Sequence, residues 1–310
     1  MSISTLLTEL ETNKVNYDFI IEHLKLNPIK LDSALINVVI PVMGRKEFLP
    51  ILHKSLLNAI DKVQLPIIVT VVEISDEPEH DKYCNMVDIN YCWLDINLLT
   101  KADHVFNSGF NGVKLFNKSL AMNIGAIISP KTDYLLFHDL DCLVQSDFFS
   151  RLLLNVELKK AKALQCFQLR RVLYMNDTVT NRILINEINV DDLSINTDGI
   201  SPPIAFGAPG GSIMVESEIF FNVRGYDPEL FSGYSTEDAF FWNKLSSVCE
   251  IHSSDNPVID IFHMYHTPAY NTNPLFNKMH GYLELFNGLT TSERLEFINN
   301  KTIIKKKNTR

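Results

Sequence analysis

The hydrophobic pattern changes character near residue 36. Upstream, residues 1–33 are mostly polar, with Leu6, Leu7 and Leu10 and then Phe19, Ile20 and Leu24 at helical spacing, so a helical preamble without chemistry of its own is predicted. Ile36, Val38, Val39 and Ile40 then form a β-branched run closed by Pro41. Gly44 and Arg45 break the pattern, and an amphipathic stretch follows from Phe48 to Val63. A second β-rich run, Ile67 to Val72, ends at Glu73 and an acidic loop. Strand, helix and strand in this order predict a βαβ unit, the way mononucleotide-binding halves of α/β folds begin.

The segment Asp133 to Val144 organises the remainder. Tyr134, Leu135, Leu136 and Phe137 have the length of a buried strand, which stops at two carboxylates, Asp139 and Asp141. In parallel α/β sheets ligands bind beyond the carboxyl ends of strands, so acids delivered there suit a hard divalent cation. Acid-rich turns also follow strands without any ion, and Asp-Leu-Asp alone is weak evidence.

Around this strand the pattern predicts a helix from Leu115 to Ala126 and another, capped by Ser146, to about Lys162, burying Phe149, Leu152, Leu153 and Val156. Residues 76–112 are irregular, with a Gly-containing loop from Phe106 to Gly112. A strand-like segment, Ala163 to Tyr174, precedes a polar excursion and a Pro- and Gly-rich loop from Ser201 to Ser212. Its adjacent Gly210 and Gly211 permit close approach of backbone to a ligand, or a plain tight turn. A short strand (Ile213 to Val215) and helix (Ser217 to Val223) stop at Gly225.

Thr236 can cap a helix whose first turn holds Glu237 and Asp238, with Phe241, Leu245 and Val248 on its buried face. The helix dipole accounts for both acids without any function and keeps Asp238 ionised at neutral pH. Finally, the strand from Ile259 runs into His263 and His266, a pair better suited to ligation than a lone histidine.

Composition narrows the classes. With 310 residues, 46% hydrophobic and 21% charged, the chain reads as folded and able to bury a large core. A formal charge of −9 argues against a nucleic-acid binder, whose affinity comes from clustered Lys and Arg. Only the end, Lys305 to Arg310, is basic; it reads as a solvated terminus or as a weak attraction to an anionic membrane face. Five cysteines, Cys84, Cys92, Cys142, Cys166 and Cys249, without a CxxC pair, suit reduced thiols in a core. No apolar run is long enough to span a bilayer, and acids in the first residues do not suit a secretion signal, so a cytoplasmic location, peripheral at most to the inner membrane face, is expected.

Taken in order, these features resemble the GT-A fold glycosyltransferases, most closely the β-1,4-galactosyltransferase type, over about residues 36–285. The residues that carry the resemblance are Val39, Ile40 and Pro41 with Arg45; Phe116, Asn117 and Lys118 followed by Asn123, Ile124 and Gly125; and Asp139 and Asp141. Gly210, Gly211 and Ser212, Gly225 and Tyr226, Gly233 and Tyr234 before Glu237 and Asp238, and His263 and His266 complete it. Val42 and Met43 stand where that family commonly has Phe-Arg, and the segment Phe231 to Thr236 stands where it has Trp-Gly-Trp-Gly-Gly before the acids.

The resemblance implies a Rossmann-like α/β domain, a UDP-sugar donor and a Mn²⁺ or Mg²⁺ ion. It implies metal ligation by Asp141, His263 and His266, and donor contacts from Pro41, Arg45, Glu73, Phe116, Lys118, Asp139, Ala208, Gly210 and Gly211. Asp238 is the implied general base, with Glu237 and Tyr234 at the acceptor, a glycan or lipid-linked saccharide. Ala208 replaces a bulky aromatic of the galactose-using relatives, which admits GalNAc beside galactose. The expected organisation is a preamble (1–33), one catalytic domain (34–290, divided near 145 into nucleotide-binding and acceptor halves) and a basic tail (291–310). A nucleotidyltransferase of sugar phosphates, or a non-catalytic nucleotide-sugar-binding module, are the rival readings.

Overall fold

The computed structural model describes residues 2–27, 33–100, 115–166, 172–201, 210–253, 259–267, 273–301 and 304. The expected loop at 106–112, Ala208 and the basic stretch from Lys305 lie outside the described residues. In chain order the strands are β1 (Lys25–Leu26), β2 (Ser33–Val42), β3 (Ile67–Ser75), β4 (Asn90–Asp95), β5 (Lys131–His138), β6 (Cys142–Val144), β7 (Ala163–Gln165), β8 (Val172–Tyr174), β9 (Ser212–Glu216), β10 (Ile251–Ser253) and β11 (Ile261–His263). Among the described residues they form an eight-stranded sheet, β1-β4-β3-β2-β5-β9-β7-β10, and a three-stranded sheet, β6-β11-β8. Strands β4, β3, β2 and β5 run parallel, whereas β9 is antiparallel to both β5 and β7.

The helices are α1 (Ile3–Thr12), α2 (Tyr17–Glu22), α3 (Phe48–Val63), α4 (Asp81–Val87), α5 (Ile96–Thr100), α6 (Lys118–Ile128), α7 (Phe148–Lys159), α8 (Asp177–Leu184), α9 (Ser217–Asn222), α10 (Glu237–Leu245), α11 (Phe276–Asn287) and α12 (Thr291–Asn300). Alternation along β2 assigns the sheet faces: Ile36, Val38 and Ile40 pack with Leu49, Leu52 and Phe148, and Val39 packs with Leu120, Ile124 and Phe241 on the other side. Helix α6 approaches β2 so closely that a Cβ on Gly125 would lie 2.3 Å from the Val39 side chain. Glycine is required there by contact with the sheet.

Several local expectations change. The segment Ala163 to Tyr174 is two strands in different sheets, because β7 pairs with β9 and β8 with β11. Val248 is exposed, since α10 ends at Leu245 before reaching it. Ser146 is not the cap of α7, whose N-cap position is Asp147 without a side-chain bond. Residues 291–300, assigned from sequence to a tail, form α12, started by a capping box between Thr290 and Glu293. Phe297 and Ile298 pack there with Leu6 and Leu10 of α1, so the two ends of the chain share one apolar cluster with α11.

A buried ion cluster ties that helical layer to the rest. Asp227 accepts from Lys244 at 2.6 Å and pairs with Lys301 at 2.7 Å, all three groups being almost wholly buried. Lys301 also donates to the carbonyls of Arg224 (2.9 Å) and Tyr226 (2.7 Å). Burial pulls the Lys244 ammonium well below its usual range against the attraction of Asp227. Removing one member of a buried ion set strands its partners and costs about 3–5 kcal/mol. Asp227→Ala is therefore expected to lose that much stability in urea denaturation; a loss below about 1 kcal/mol, the scale of an exposed pair, would refute the cluster's role.

Candidate active site

Strand β5 carries its acids to the carboxyl edge of the large sheet, and the turn that follows is fixed on both sides. The buried His138 imidazole lies 2.6 Å through Nε2 from the Cys142 carbonyl and 2.8 Å through Nδ1 from Ser212 Oγ. With a proton on Nε2 the ring donates to the carbonyl and accepts from the serine, which satisfies the neutral form. Burial lowers its proton affinity in the same direction. The Asp139 amide donates to the Gly211 carbonyl (2.8 Å), and the Met264 amide to the Asp141 carbonyl (2.8 Å). Strand β11 pairs with β6 so that His263 faces Cys142, which sets the histidine beside Asp141.

Asp141 is 8% exposed and collects three cationic or imidazole neighbours. Arg45 Nη1 donates to its Oδ2 at 2.7 Å, His266 Nε2 lies 2.9 Å from the same oxygen, and His263 Nε2 is 3.7 Å from Oδ1. Burial would raise this carboxyl, but His263, His266 and Arg45 outweigh it and hold it well below the usual range. One ligand atom from each of Asp141, His263 and His266 falls within 4.8 Å of the others. A carboxylate with two imidazoles suits a borderline divalent ion better than an all-oxygen ion such as Mg²⁺.

A second cluster is centred on Lys118 at the start of α6. Its ammonium is 2.8 Å from Asp139, 2.7 Å from Asp238 and 3.4 Å from Glu237. The lysine is set by Asn117, whose Oδ1 accepts from the Leu120 amide and whose amide donates to Pro228 O and Ser232 Oγ, both at 3.2 Å. The Phe116 carbonyl accepts from the Gly233 amide (2.7 Å), tying this helix start to the loop that carries Tyr234. Burial would lower the Lys118 pKa, yet Asp139, Asp238 and Glu237 raise it well above its ordinary value.

One cation shared by three acids leaves Asp238 undercompensated. Burial, opposed by Lys118 and assisted by Glu237 and Asp139, pushes its pKa up to about 7. The helix dipole alone suggests an ionised Asp238 at neutral pH; desolvation overrides it. Thr236 stands at the N-cap of α10 without a capping bond, and Ser235 donates to Glu237 instead (2.7 Å). Gly210 passes directly over this acid: a Cβ there would lie 2.4 Å from Asp238 Oδ2. Tyr234 is 51% exposed and stacks loosely on Phe276, with ring centroids 6.1 Å apart.

The structure thus brings together Arg45, Asp141, His263 and His266 in one cluster, and Lys118, Asp139, Gly210, Glu237 and Asp238 in another. Pro41 is in β2, paired with Val72, and Phe116 is half-buried against the core. Glu73, expected at the donor, is fully buried, and its oxygens accept from Ser75 Oγ (2.8 Å), the Glu79 and His80 amides (3.0 and 3.1 Å) and Tyr91 Oη (2.6 Å). It organises the β3–α4 loop, because a strand-end acid with local donors satisfies itself first. Sequence reasoning assigned no role to His138; a polar residue closing an apolar strand directly before the acids was the available signal.

The mixed sheet with acids at the end of β5 shares its fold with solved GT-A glycosyltransferases. Among solved structures, residues 1–349 of S. aureus TarS match with a TM-score of 0.50 and 13% identity over 86% of this chain and 70% of that one. The same fragment solved with UDP-GlcNAc matches at 0.50 and 13%, over 86% and 72%. The catalytic domain of Drosophila β1,4-galactosyltransferase 7 in complex with xylobiose matches with a TM-score of 0.48 and 14% identity over 82% and 80%. No family model and no curated protein matches the sequence.

The shared lysine makes a direct prediction. An opposite charge this close lowers a carboxyl by about 1–3 pH units, so Lys118→Met is expected to move the Asp238 titration upward by that amount. Carbon-13 NMR of the Asp238 carboxyl across pH measures it; an unchanged midpoint would show that Lys118 does not govern the acid.

Proposed function

We propose that this protein is a metal-dependent inverting glycosyltransferase that moves a hexose, Gal or GalNAc, from a UDP-sugar to a sugar hydroxyl. The observation that carries the reading is the Asp238 carboxylate, with a pKa near neutrality, under the Gly210 backbone and joined through Lys118 to the acid turn beside Asp141. A fold neighbour that binds UDP-GlcNAc supports the donor class. A glycan or lipid-linked saccharide in bacterial surface glycan synthesis is the acceptor we favour.

Asp141, His263 and His266 would hold Mn²⁺. When bound, a divalent ion neutralises the charge that develops on the diphosphate leaving group. Asp139 and the Gly210–Gly211 backbone then line the donor side. Asp238 accepts the proton of the acceptor hydroxyl as its oxygen bonds to the anomeric carbon, while the bond from that carbon to the diphosphate breaks on the opposite face. Inversion of an α-linked donor to a β-linked product follows. Glu237, fixed by Ser235, orients the acceptor, and Tyr234 offers its exposed ring to the sugar. A base with a pKa near the working pH is the efficient choice, worth about 10²- to 10⁴-fold.

Asp238→Asn is expected to lose about 10²-fold or more in transfer while still binding UDP, measured by product formation from UDP-Gal and UDP-GalNAc with a saccharide panel. For the wild type, the carboxylate form of Asp238 fills as pH rises through about 7, so kcat/KM should climb through that range and level off above it. A flat profile between pH 5.5 and 8.5, or full activity in the Asn variant, would remove Asp238 as the base. Transfer from neither donor would sink the hexose assignment.

The metal part has its own test. Calorimetric UDP binding is expected to strengthen when Mn²⁺ is present, and Asp141→Ala should abolish that enhancement together with turnover. Affinity for UDP that ignores the ion in the wild type would contradict the site.

A further inference from the structure

We propose that Arg45 is the built-in counter-cation of Asp141, and that its guanidinium must leave before a divalent ion is held by Asp141, His263 and His266. The inference rests on the metal reading above and adds a competitor to it. A carboxylate as buried as Asp141 requires a partner. Arg45 supplies one with Nη1 on Oδ2 (2.7 Å), while Nη2 lies 3.1 Å from His266 Nδ1, so a single guanidinium spans two of the three ligands. Arginine does not shed its charge by losing a proton, so it yields the place only by moving. Its side chain is 35% exposed and sits on a turn in which Gly44 and Arg45 both have positive φ (67° and 52°).

The ring of His266 keeps a second anchor when the guanidinium leaves. Its Nδ1 lies 3.1 Å from Arg45 Nη2 and 3.0 Å from the Thr267 carbonyl, while Nε2 lies 2.9 Å from Asp141 Oδ2. Once the guanidinium swings out, the Thr267 carbonyl still orients the ring, and a backbone acceptor is a usual partner of a metal-bound histidine.

The test is calorimetry of the full chain with Mn²⁺ alone. Arg45→Asn removes the charge and tolerates the positive φ, and Arg45→Gln is a second neutral variant. Both are expected to bind Mn²⁺ roughly tenfold more tightly than the wild type. Asp141→Ala should bind none. Wild-type or weaker affinity in the folded neutral variants overturns the competition while leaving the metal site standing. Absence of Mn²⁺ binding in the wild type and in both neutral variants overturns the site and the competition together. The unaltered protein provides an independent readout: nitrogen-15 NMR signals of the Arg45 guanidinium should shift when Zn²⁺, a diamagnetic probe, binds. Zn²⁺ binding that leaves those signals unchanged overturns the proposal.

Discussion

The Lys118 ammonium holds the active-site edge together. It reaches Asp139 at the end of β5 and Glu237 and Asp238 at the start of α10, from its own place at the start of α6. At an effective dielectric near 20, unit charges 4 Å apart interact by about 4 kcal/mol, so one cation stabilises several neighbouring acids only while their mutual repulsion stays smaller. Three acids exceed what one ammonium neutralises. The surplus falls on Asp238, where burial adds to the repulsion of Glu237 and Asp139, and its pKa rises toward neutrality. Its raised proton affinity is thus a consequence of crowding and burial, not of the residue type.

A reactive edge of this kind needs a rigid support. The β5–β6 turn must join one sheet to another while aiming two acids, and His138 makes that possible by filling both hydrogen-bonding positions of its ring inside the core. Asn123 performs a related task one layer away, accepting from the Tyr226 amide (2.8 Å) and donating to Tyr17 Oη (2.6 Å). Together with Gly125 against Val39, it locks α6 and therefore Lys118 to the sheet. Part of the ordered motif that suggested chemistry in the sequence is scaffold for the residues that would perform it.

How far the sequence could be read follows from the range of the interactions involved. The βαβ start, the acid-tipped β5 and the first turn of α10 depend on local pattern, and α3 runs from Phe48 to Val63 as its periodicity indicates. The acids and histidines at the sheet edge were visible because strand ends announce themselves. The fate of Glu73 was not, since its donors include Tyr91, on the neighbouring strand. Nor was the division of residues 163–174 between two sheets, which depends on pairing with β9 and β11 far along the chain. The raised proton affinity of Asp238 is not legible locally, because the helix dipole is a local property, whereas burial is decided by the whole fold.

Charge arithmetic links the two clusters. Asp139, Asp141, Glu237 and Asp238 are four acids, and Arg45 and Lys118 are two fixed cations, leaving 4 − 2 = 2 negative charges when every carboxyl is ionised. Buried charge of that size is either titrated away or balanced by a ligand. Partial protonation of Asp238 relieves one part, and the paired imidazoles beside Asp141 offer a place where a dication would relieve the rest. On this account the site is built for exchange of charge and not for accumulation of it, and its own side chains stand in the places its ligands would take.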